Sequence, residues 1–241
     1  QLIFTISNVS KSFKESKGAI NASFNTKKIG ELSLIYLARI HPIKGLYFVL
    51  DLLKNSKDRV SLDIFGPIED VEYWNACQAI ILSMPKNISI NYGGSYNKNI
   101  ISLISSYDAL ILHTAGENYG HVIYESIAAN TPVIVSDRTP WTPDKCDAVY
   151  VIPFGSVSDW MVCINILSDM NNTQHYRLRQ IAQQYVLDFN HNDESKEANV
   201  AATLLKVQER KTAKGNSYAV LKLTDLNSVF ELFIFSDMLE L

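Results

Sequence analysis

The chain has 241 residues, of which 47% are hydrophobic and 20% are charged, a composition typical of globular proteins. Lys and Arg number 22 against 25 Asp and Glu, and the resulting net charge of -3 gives no general attraction to nucleic acid. These values exclude disordered, collagen-like and coiled-coil proteins. The length allows one large domain or two small ones.

The cysteines and the apolar runs indicate the compartment. Cys77, Cys146 and Cys163 lie far apart, and their spacing predicts neither a disulfide framework nor a zinc site. The longest apolar stretches, such as Ala79–Leu82 and Ala109–Leu112, are far shorter than the roughly 20 residues of a membrane span. We therefore expect a soluble protein of the reducing cytoplasm.

Between residues 32 and 152, short apolar runs alternate with longer amphipathic segments. Nearly all-apolar strands that alternate with helices predict a parallel sheet with right-handed crossovers and helices on both faces, a Rossmann-like α/β fold. The predicted strands are Leu32–Leu37, Val60–Phe65, Ile88–Asn91, Ala109–His113, Pro132–Ser136 and Ala148–Ile152. The predicted helices are Gly45–Lys54, Val71–Leu82, a short one near Lys98–Ser105, and Gly120–Ala129.

The remaining third of the chain divides into two patterns. From Val157 to about Leu205 the pattern predicts three helical segments, broken near Asn171–Thr173 and Phe189–Asn192. The last residues predict three strands with a half-buried, period-2 face that includes Ala219, Leu221 and Leu223. These strands are Leu204–Glu209, Tyr218–Thr224 and Val229–Phe235.

Ligands of such parallel sheets bind beyond the carboxyl ends of the strands, so the loops that follow the strands are the candidate site. Arg39 and Lys44 follow the first predicted strand, and Gly66 follows the second. The loop that contains Glu117 runs directly into a helix N-terminus, where backbone amides favour phosphate. Two cations and one helix N-terminus at the same edge predict a diphosphate site, and Glu125 could reach hydroxyl groups beside it.

Several motifs occur in one order: Leu37-Ala38-Arg39 with Lys44-Gly45, then Phe65-Gly66-Pro67, then the run GENYGHVIYESIAANTPVIVSDRTPW. As a set they resemble the C-terminal, donor-binding half of the family 4 (group 1) glycosyltransferases. Enzymes of that family are retaining, use nucleotide sugars and have the GT-B fold. The family's pair of glutamates, with seven residues between them, corresponds to Glu117 and Glu125.

The resemblance implies a role for each matching residue. Arg39 and Lys44 would hold the donor diphosphate and offset the charge that develops on the leaving group, while Glu117 would contact the donor sugar. Glu125 would bind the ribose hydroxyls, and no metal or other cofactor is expected. The other implied donor-binding residues are Gly66, Asn118, Tyr119, Gly120, His121 and Val122.

Some features depart from the family pattern. Ala38 replaces the usual Gly before the arginine, His113-Thr114 replaces a common Pro-Ser, and Asn130 replaces a common Gly. A GT-B enzyme also has a first domain that binds the acceptor, whereas residues 1–30 resemble only the end of that domain and the linker. We therefore expect residues 31–203 to form the donor-binding domain, and the chain alone to be inactive for lack of an acceptor domain. The acceptor is unknown, and the full-length enzyme could lie peripherally at the inner membrane.

Residues 204–241 resemble part of the OB-fold region of the alpha subunit of bacterial DNA polymerase III. Three strands do not make the five-stranded OB barrel, so we interpret the change near Leu204 as a fusion or assembly junction. A nucleic-acid-binding polymerase fragment is the alternative function. Lys211 and Lys214 could contact phosphate, but the balanced charge of this segment predicts no strong nucleic-acid binding. We expect self-association or disorder in this segment.

Three other residues have two interpretations each. His113 and His121 could act as catalytic bases, but a packed or hydrogen-bonded histidine fits the sequence as well. Asp108 precedes a predicted strand and is interpreted as a loop or capping residue.

Overall fold

The structure is a computed structural model that describes residues 2–7, 26–96, 99–117, 120–141, 146–192, 197–211, 217–224 and 229–235. Side chains are described over 26–96, 99–117, 120–141, 146–187, 204–211 and 218–223. The chain forms two compact units, one of residues 18–190 and the other of residues 1–17 together with 191–241.

The larger unit is built on a six-stranded parallel sheet. Its strands are β2 (Glu31–Leu37), β3 (Arg59–Phe65), β4 (Ile88–Gly94), β5 (Ala109–Leu112), β6 (Val133–Ser136) and β7 (Val149–Ile152). The helices are α1 (Leu46–Leu53), α2 (Val71–Leu82), α3 (Ile100–Ile104), α4 (His121–Ala128), α5 (Val157–Asp169) and α6 (Asn172–Asn192). The predicted Rossmann-like fold of the larger unit is confirmed.

The strand order β4-β3-β2-β5-β6-β7 places the two halves of the sheet on either side of the β2–β5 pair. The chain runs outward from β2 in one direction and from β5 in the other, so a topological switch point lies between these two strands. In doubly wound sheets, this is where a crevice opens at the carboxyl ends. The loops after β2 and β5 are therefore neighbours.

The core explains why the strand predictions hold. Every residue of β5 and β6 is buried, as expected for strands covered by helices on both faces. The helix α1 packs Leu46, Val49 and Leu50 into the same core. Asp70 is the N-cap of helix α2, and its carboxylate accepts a hydrogen bond from the Tyr73 amide at 2.9 Å.

The smaller unit is a four-stranded antiparallel sheet with the order β1-β8-β9-β10. Its strands are β1 (Leu2–Ser7), β8 (Glu197–Lys211), β9 (Ser217–Thr224) and β10 (Val229–Phe235). β1 pairs with β8, and the assignment of residues 1–30 to the end of a first domain and a linker stays a prediction. One expectation is corrected: the last predicted helical segment, which reached Leu205, is strand over residues 197–205. The alanines near residue 200 favour a helix, but pairing with strands on both sides prevails. The predicted boundary at residue 204 consequently lies inside β8.

Within this sheet, the described strands form a linear order with β1 and β10 at the edges, and an OB barrel is not shown. Ala219 and Leu223 are buried as predicted, whereas Leu221 is only partly buried and its neighbour Val220 is buried instead. The structure describes the backbone of β10 but not the side chains of Phe230, Phe233 and Phe235. None of the helices in the described part of the chain is long and apolar enough to cross a membrane.

Candidate functional site at the carboxyl edge of the sheet

Lys44 and Glu117 meet at the switch point. Lys44 ends a short 3-10 turn, Pro42–Lys44, after β2, and Glu117 belongs to the loop after β5. The Lys44 Nζ lies 2.6 Å from Glu117 Oε2, and the two side chains are only 12% and 20% exposed. Two residues predicted separately to serve the donor thus form one largely buried ion pair.

The backbones of the two loops are joined beside this pair. The Ala115 amide donates to the Ile43 carbonyl at 2.7 Å, and the buried Thr114 hydroxyl lies 3.2 Å from the same oxygen. The Tyr36 hydroxyl donates to the Lys44 carbonyl at 3.2 Å. The positions of Lys44 and Glu117 are therefore fixed by hydrogen bonds of the main chain and not only by their own charges.

Gly45 allows the two loops to approach this closely. It has a φ of 70°, in the left-handed region, and it connects the 3-10 turn to α1. A Cβ at this position would lie 1.8 Å from the His113 carbonyl oxygen and 2.5 Å from His113 Nδ1. Only glycine fits, so the residue after Lys44 is set by contact with the end of β5.

Helix α4 begins immediately after the loop that carries Glu117. Gly120 is its N-cap, and a Cβ built on Gly120 would lie 3.4 Å from Glu117 Cγ, so the glutamate stem is adjacent to the helix start. The first amides of an α-helix have no carbonyl partner within the helix. A ligand phosphate beside Lys44 would therefore meet a favourable electrostatic environment.

Glu125 and His121 both belong to α4. Glu125 is half-buried, and burial raises the pKa of its carboxyl, while nearby His121 acts in the opposite direction. His121 is exposed at the first position of the helix, and Val122 is partly buried. That Glu125 faces the same cleft as Glu117 stays a prediction, as do the roles assigned to His121 and Val122.

Arg39 forms a second ion pair at the same edge. Its Nη1 lies 2.7 Å from both carboxylate oxygens of Glu69, in the loop that follows β3. Both side chains are about half exposed. Sequence reasoning missed Glu69, because nothing in the spacing indicates which carboxylate an exposed arginine meets.

Gly66, predicted to bind the donor, has an evident structural role. Its φ is 143°, and a Cβ there would lie 1.9 Å from the Ala38 carbonyl oxygen. The loops after β2 and β3 can run side by side only if this residue lacks a side chain. Its contact with a donor stays a prediction. Asn118 and Tyr119, also predicted to bind the donor, lie outside the described residues.

His113 packs between two aromatic rings in the structure. Its ring is sandwiched between Phe48, with centroids 3.7 Å apart, and Phe154, with centroids 4.3 Å apart. The Nε2 atom accepts a hydrogen bond from the Gly155 amide at 3.3 Å. Burial lowers the pKa of His113 to about 4, so the ring is neutral near pH 7. Of the two interpretations of this histidine, the structure supports packing.

A buried charged cluster at the opposite, amino end of the sheet was not predicted. Asp108 accepts a hydrogen bond from the Ser33 amide at 2.8 Å, and the His175 ring nitrogen lies 2.9 Å from the Asp108 carbonyl oxygen. Lys27, whose pKa is lowered by burial, shares this region. Asp108 is thus more than a capping residue, because it links β2 to α6.

Arg179 fixes the same helix to the sheet. The guanidinium donates to the carbonyls of Ser105 at 3.3 Å, Asn130 at 3.1 Å and Tyr107. Burial lowers the Arg179 pKa to about 10. Arg179 and His175 lie one turn apart on the face of α6 that buries Leu178, and polar residues at that spacing were the signal available in the sequence. These contacts anchor α6 to the amino end of the sheet, opposite the carboxyl edge.

Comparison with known proteins identifies the family of the chain. The model of a family described as "Glycosyl transferases group 1" matches residues 20–180, more than half of the chain. The chain belongs to the group 1 glycosyl transferases. No curated protein matches the chain.

Solved structures support the fold of this group 1 glycosyl transferase. A glycosyltransferase from Rickettsia africae is 17% identical with a TM-score of 0.57, covering 65% of this chain and 43% of its own. HepE from Anabaena, solved with UDP, is 18% identical with a TM-score of 0.54, covering 67% and 47%. TarM from S. aureus is 15% identical with a TM-score of 0.55, covering 68% and 34%. The chain thus spans less than half of the length of each of these structures.

The comparisons support a transferase and a Rossmann-like domain of the kind found in GT-B proteins. None of the proteins named above is a polymerase, so the resemblance of residues 204–241 to an OB-fold region stays a prediction. The described residues contain no group of three or more His, Cys, Asp or Glu side chains that could hold a metal ion. The expectation that donor binding needs no metal is a separate matter and stays a prediction.

Proposed function

We propose that the carboxyl-edge cleft binds the diphosphate of a nucleotide-sugar donor, and that the larger unit is the donor-binding half of a retaining glycosyltransferase. The observation that carries this proposal is the Lys44–Glu117 pair, 2.6 Å apart across the switch point of the sheet and beside the start of α4. A buried cation next to a helix N-terminus suits a diphosphate. The family membership supplies the reaction class.

In this proposal, Lys44 and Arg39 neutralise the charge that develops on the departing diphosphate when the glycosidic bond to the donor breaks. Fixed cations aimed at a developing charge stabilise the transition state, because they need no reorganisation during the reaction. Glu117, released from Lys44 by the phosphates, contacts the donor sugar. Retention of the anomeric configuration and this role of Glu117 come from the resemblance to family 4.

The nucleoside end of the donor is assigned to the other predicted residues. Glu125 would accept hydrogen bonds from the two ribose hydroxyls, and the amides of Asn118, Tyr119, Gly120, His121 and Val122 would surround sugar and phosphate. Gly66 would allow the donor to approach the loop after β3. HepE has been solved with UDP and with UDP and glucose, which makes UDP the first donor nucleotide to test for this chain.

The remaining parts of the reaction are proposals of the same kind. We expect the sugar to be transferred to an acceptor that is held mainly by a second domain. We expect the reaction to take place in the cytoplasm, with the full-length enzyme bound peripherally at the inner membrane. By itself this chain should bind nucleotide but transfer no sugar, because one wall of the catalytic cleft would be lacking. Among the residues that the structure describes, no observation favours the nucleic-acid alternative.

The test is a thermal-shift panel with UDP, GDP, ADP, their sugar conjugates and the parent nucleosides, followed by titration calorimetry of the best ligand. A nucleoside diphosphate that raises the melting temperature, where its nucleoside does not, would support the proposal. A panel without any stabilising nucleotide at millimolar concentration would contradict it.

A further inference from the structure

We infer that Glu69 is the counter-ion of Arg39 in the donor-free protein and that it competes with the donor diphosphate for this guanidinium. The inference rests on the proposed function, since it concerns what Arg39 does before the diphosphate arrives. Glu69 belongs to none of the motifs that identified the site. Its carboxylate is the partner that the structure gives to Arg39.

The contact between the two side chains is not needed to hold their loops together. The Ile40 amide donates to the Pro67 carbonyl at 2.8 Å, and the amides of Glu69 and Asp70 both donate to the Ile40 carbonyl at 3.2 Å. Ile40 and Ile68 also form a parallel bridge, and Ile40 is fully buried. The main chain thus fixes this corner, so the ion pair can break without loss of the local fold.

The ion pair itself is exchangeable. The side chains of Arg39 and Glu69 are 53% and 44% exposed, and ion pairs in such positions add little to stability because water and salt screen them. By comparison, the Lys44–Glu117 pair is largely buried. Arg39 and Lys44 are both predicted to bind the diphosphate, and the partner of Arg39 can therefore be displaced more easily than that of Lys44.

The chemistry of the guanidinium favours displacement. A diphosphate carries more negative charge than one carboxylate and accepts two parallel hydrogen bonds from the planar guanidinium fork. In the ligand-free pair a single nitrogen, Nη1, serves both Glu69 oxygens. When Arg39 turns to the diphosphate, it must break its contact with Glu69, so the energy of that contact is subtracted from the energy of binding. Glu69 therefore lowers the affinity for the diphosphate part of the donor.

The test is a double-mutant cycle in the full chain with Arg39→Ala, Glu69→Gln and both changes together. Glu72→Gln is the matched control, because Glu72 is an exposed carboxylate three residues further on and its change removes the same charge. The probes are UDP, uridine and inorganic pyrophosphate, measured by titration calorimetry. Thermal unfolding of each variant checks the fold.

We expect Glu69→Gln to tighten UDP and pyrophosphate binding by about threefold or more, with little change in its uridine binding or its melting temperature. The control Glu72→Gln should bind all three probes much as the unaltered chain does. In the Arg39→Ala background, the effect of Glu69→Gln should largely vanish, because it acts through Arg39. Unchanged or weaker UDP binding in Glu69→Gln, with clear weakening in Arg39→Ala, would overturn this inference alone. Unchanged binding in Arg39→Ala would contradict the assignment of Arg39 in the proposed function as well.

Discussion

The ammonium group of Lys44 lies 2.6 Å from the carboxylate of Glu117, although 73 positions separate the two residues in the chain. The pair joins the loop after β2 to the loop after β5, the two inner strands from which the sheet winds outward. The ion pair holds these two charged groups in largely buried positions at the candidate site. A ligand that separates the pair can bind both groups, with its phosphates on Lys44 and its hydroxyl groups on Glu117.

The first prediction concerns Lys44→Ala. Loss of a charged hydrogen-bond donor should weaken nucleoside diphosphate binding by about tenfold or more, and should change nucleoside binding much less. Titration calorimetry with UDP and uridine would measure both. Lys57→Ala, which removes an exposed lysine after α1, is the matched control. Equal losses for UDP and uridine would mean that Lys44 is a structural residue.

The second prediction concerns Gly45→Ala. The new methyl group would meet the His113 carbonyl at 1.8 Å and would also force alanine into a left-handed backbone. We expect a loss of more than about 2 kcal/mol in the free energy of unfolding, measured by urea denaturation. Gly30→Ala separates the two causes, because Gly30 has a φ of 76° but nothing within 4 Å of the added Cβ. That control should cost about 1 kcal/mol, and an equal cost for both variants would refute the close contact.

The third prediction concerns acid stability and His113. Its pKa is about 4 in the folded chain against 6.5 as the ordinary value, so the unfolded state takes up the proton first as the pH falls. The neutral ring therefore contributes stability that is complete above pH 6.5 and is lost between 6.5 and about 4, by roughly 3 kcal/mol. The His175 pKa is also lowered by burial, so it adds to the same acid limb.

His113→Phe tests this assignment because it keeps an aromatic ring between Phe48 and Phe154 but removes the titrating group. The pH dependence of unfolding, followed by urea denaturation from pH 4 to 8, should become shallower than in the unaltered chain. His121→Phe serves as the control, since His121 is exposed on α4. The idea would fail if the two variants gave the same acid limb as the unaltered chain.

The sequence allowed the parallel sheet to be predicted because strands buried on both faces are nearly all apolar, as β5 and β6 are. It also placed Arg39, Lys44 and Glu117 at one edge, because loops after parallel strands share that edge. The pairing of Arg39 with Glu69 could not be predicted, since it depends on how exposed side chains cross between loops. The second half of β8 was predicted as the strand Leu204–Glu209, but its first half, residues 197–203, was missed. The alanines of that half favour a helix locally, whereas long-range pairing with β1 and β9 decides its structure.

The last prediction concerns the smaller unit, whose β8 pairs with β1 and β9. The larger unit has its own core, formed by the sheet from β2 to β7 and its helices, so a chain of residues 18–190 should fold and bind UDP within about twofold of the full chain. Leu204, Leu205 and Val207 are exposed on β8, and their removal should improve solubility. Calorimetry with UDP and light scattering would measure these effects.

The same two chains also test for nucleic-acid binding, by fluorescence anisotropy with a single-stranded DNA oligonucleotide at two salt concentrations. We expect no tight DNA binding by either chain, because the edges β1 and β10 leave the described strands as an open sheet. Tight, salt-dependent DNA binding by the full chain that disappears in residues 18–190 would make the smaller unit a functional nucleic-acid module.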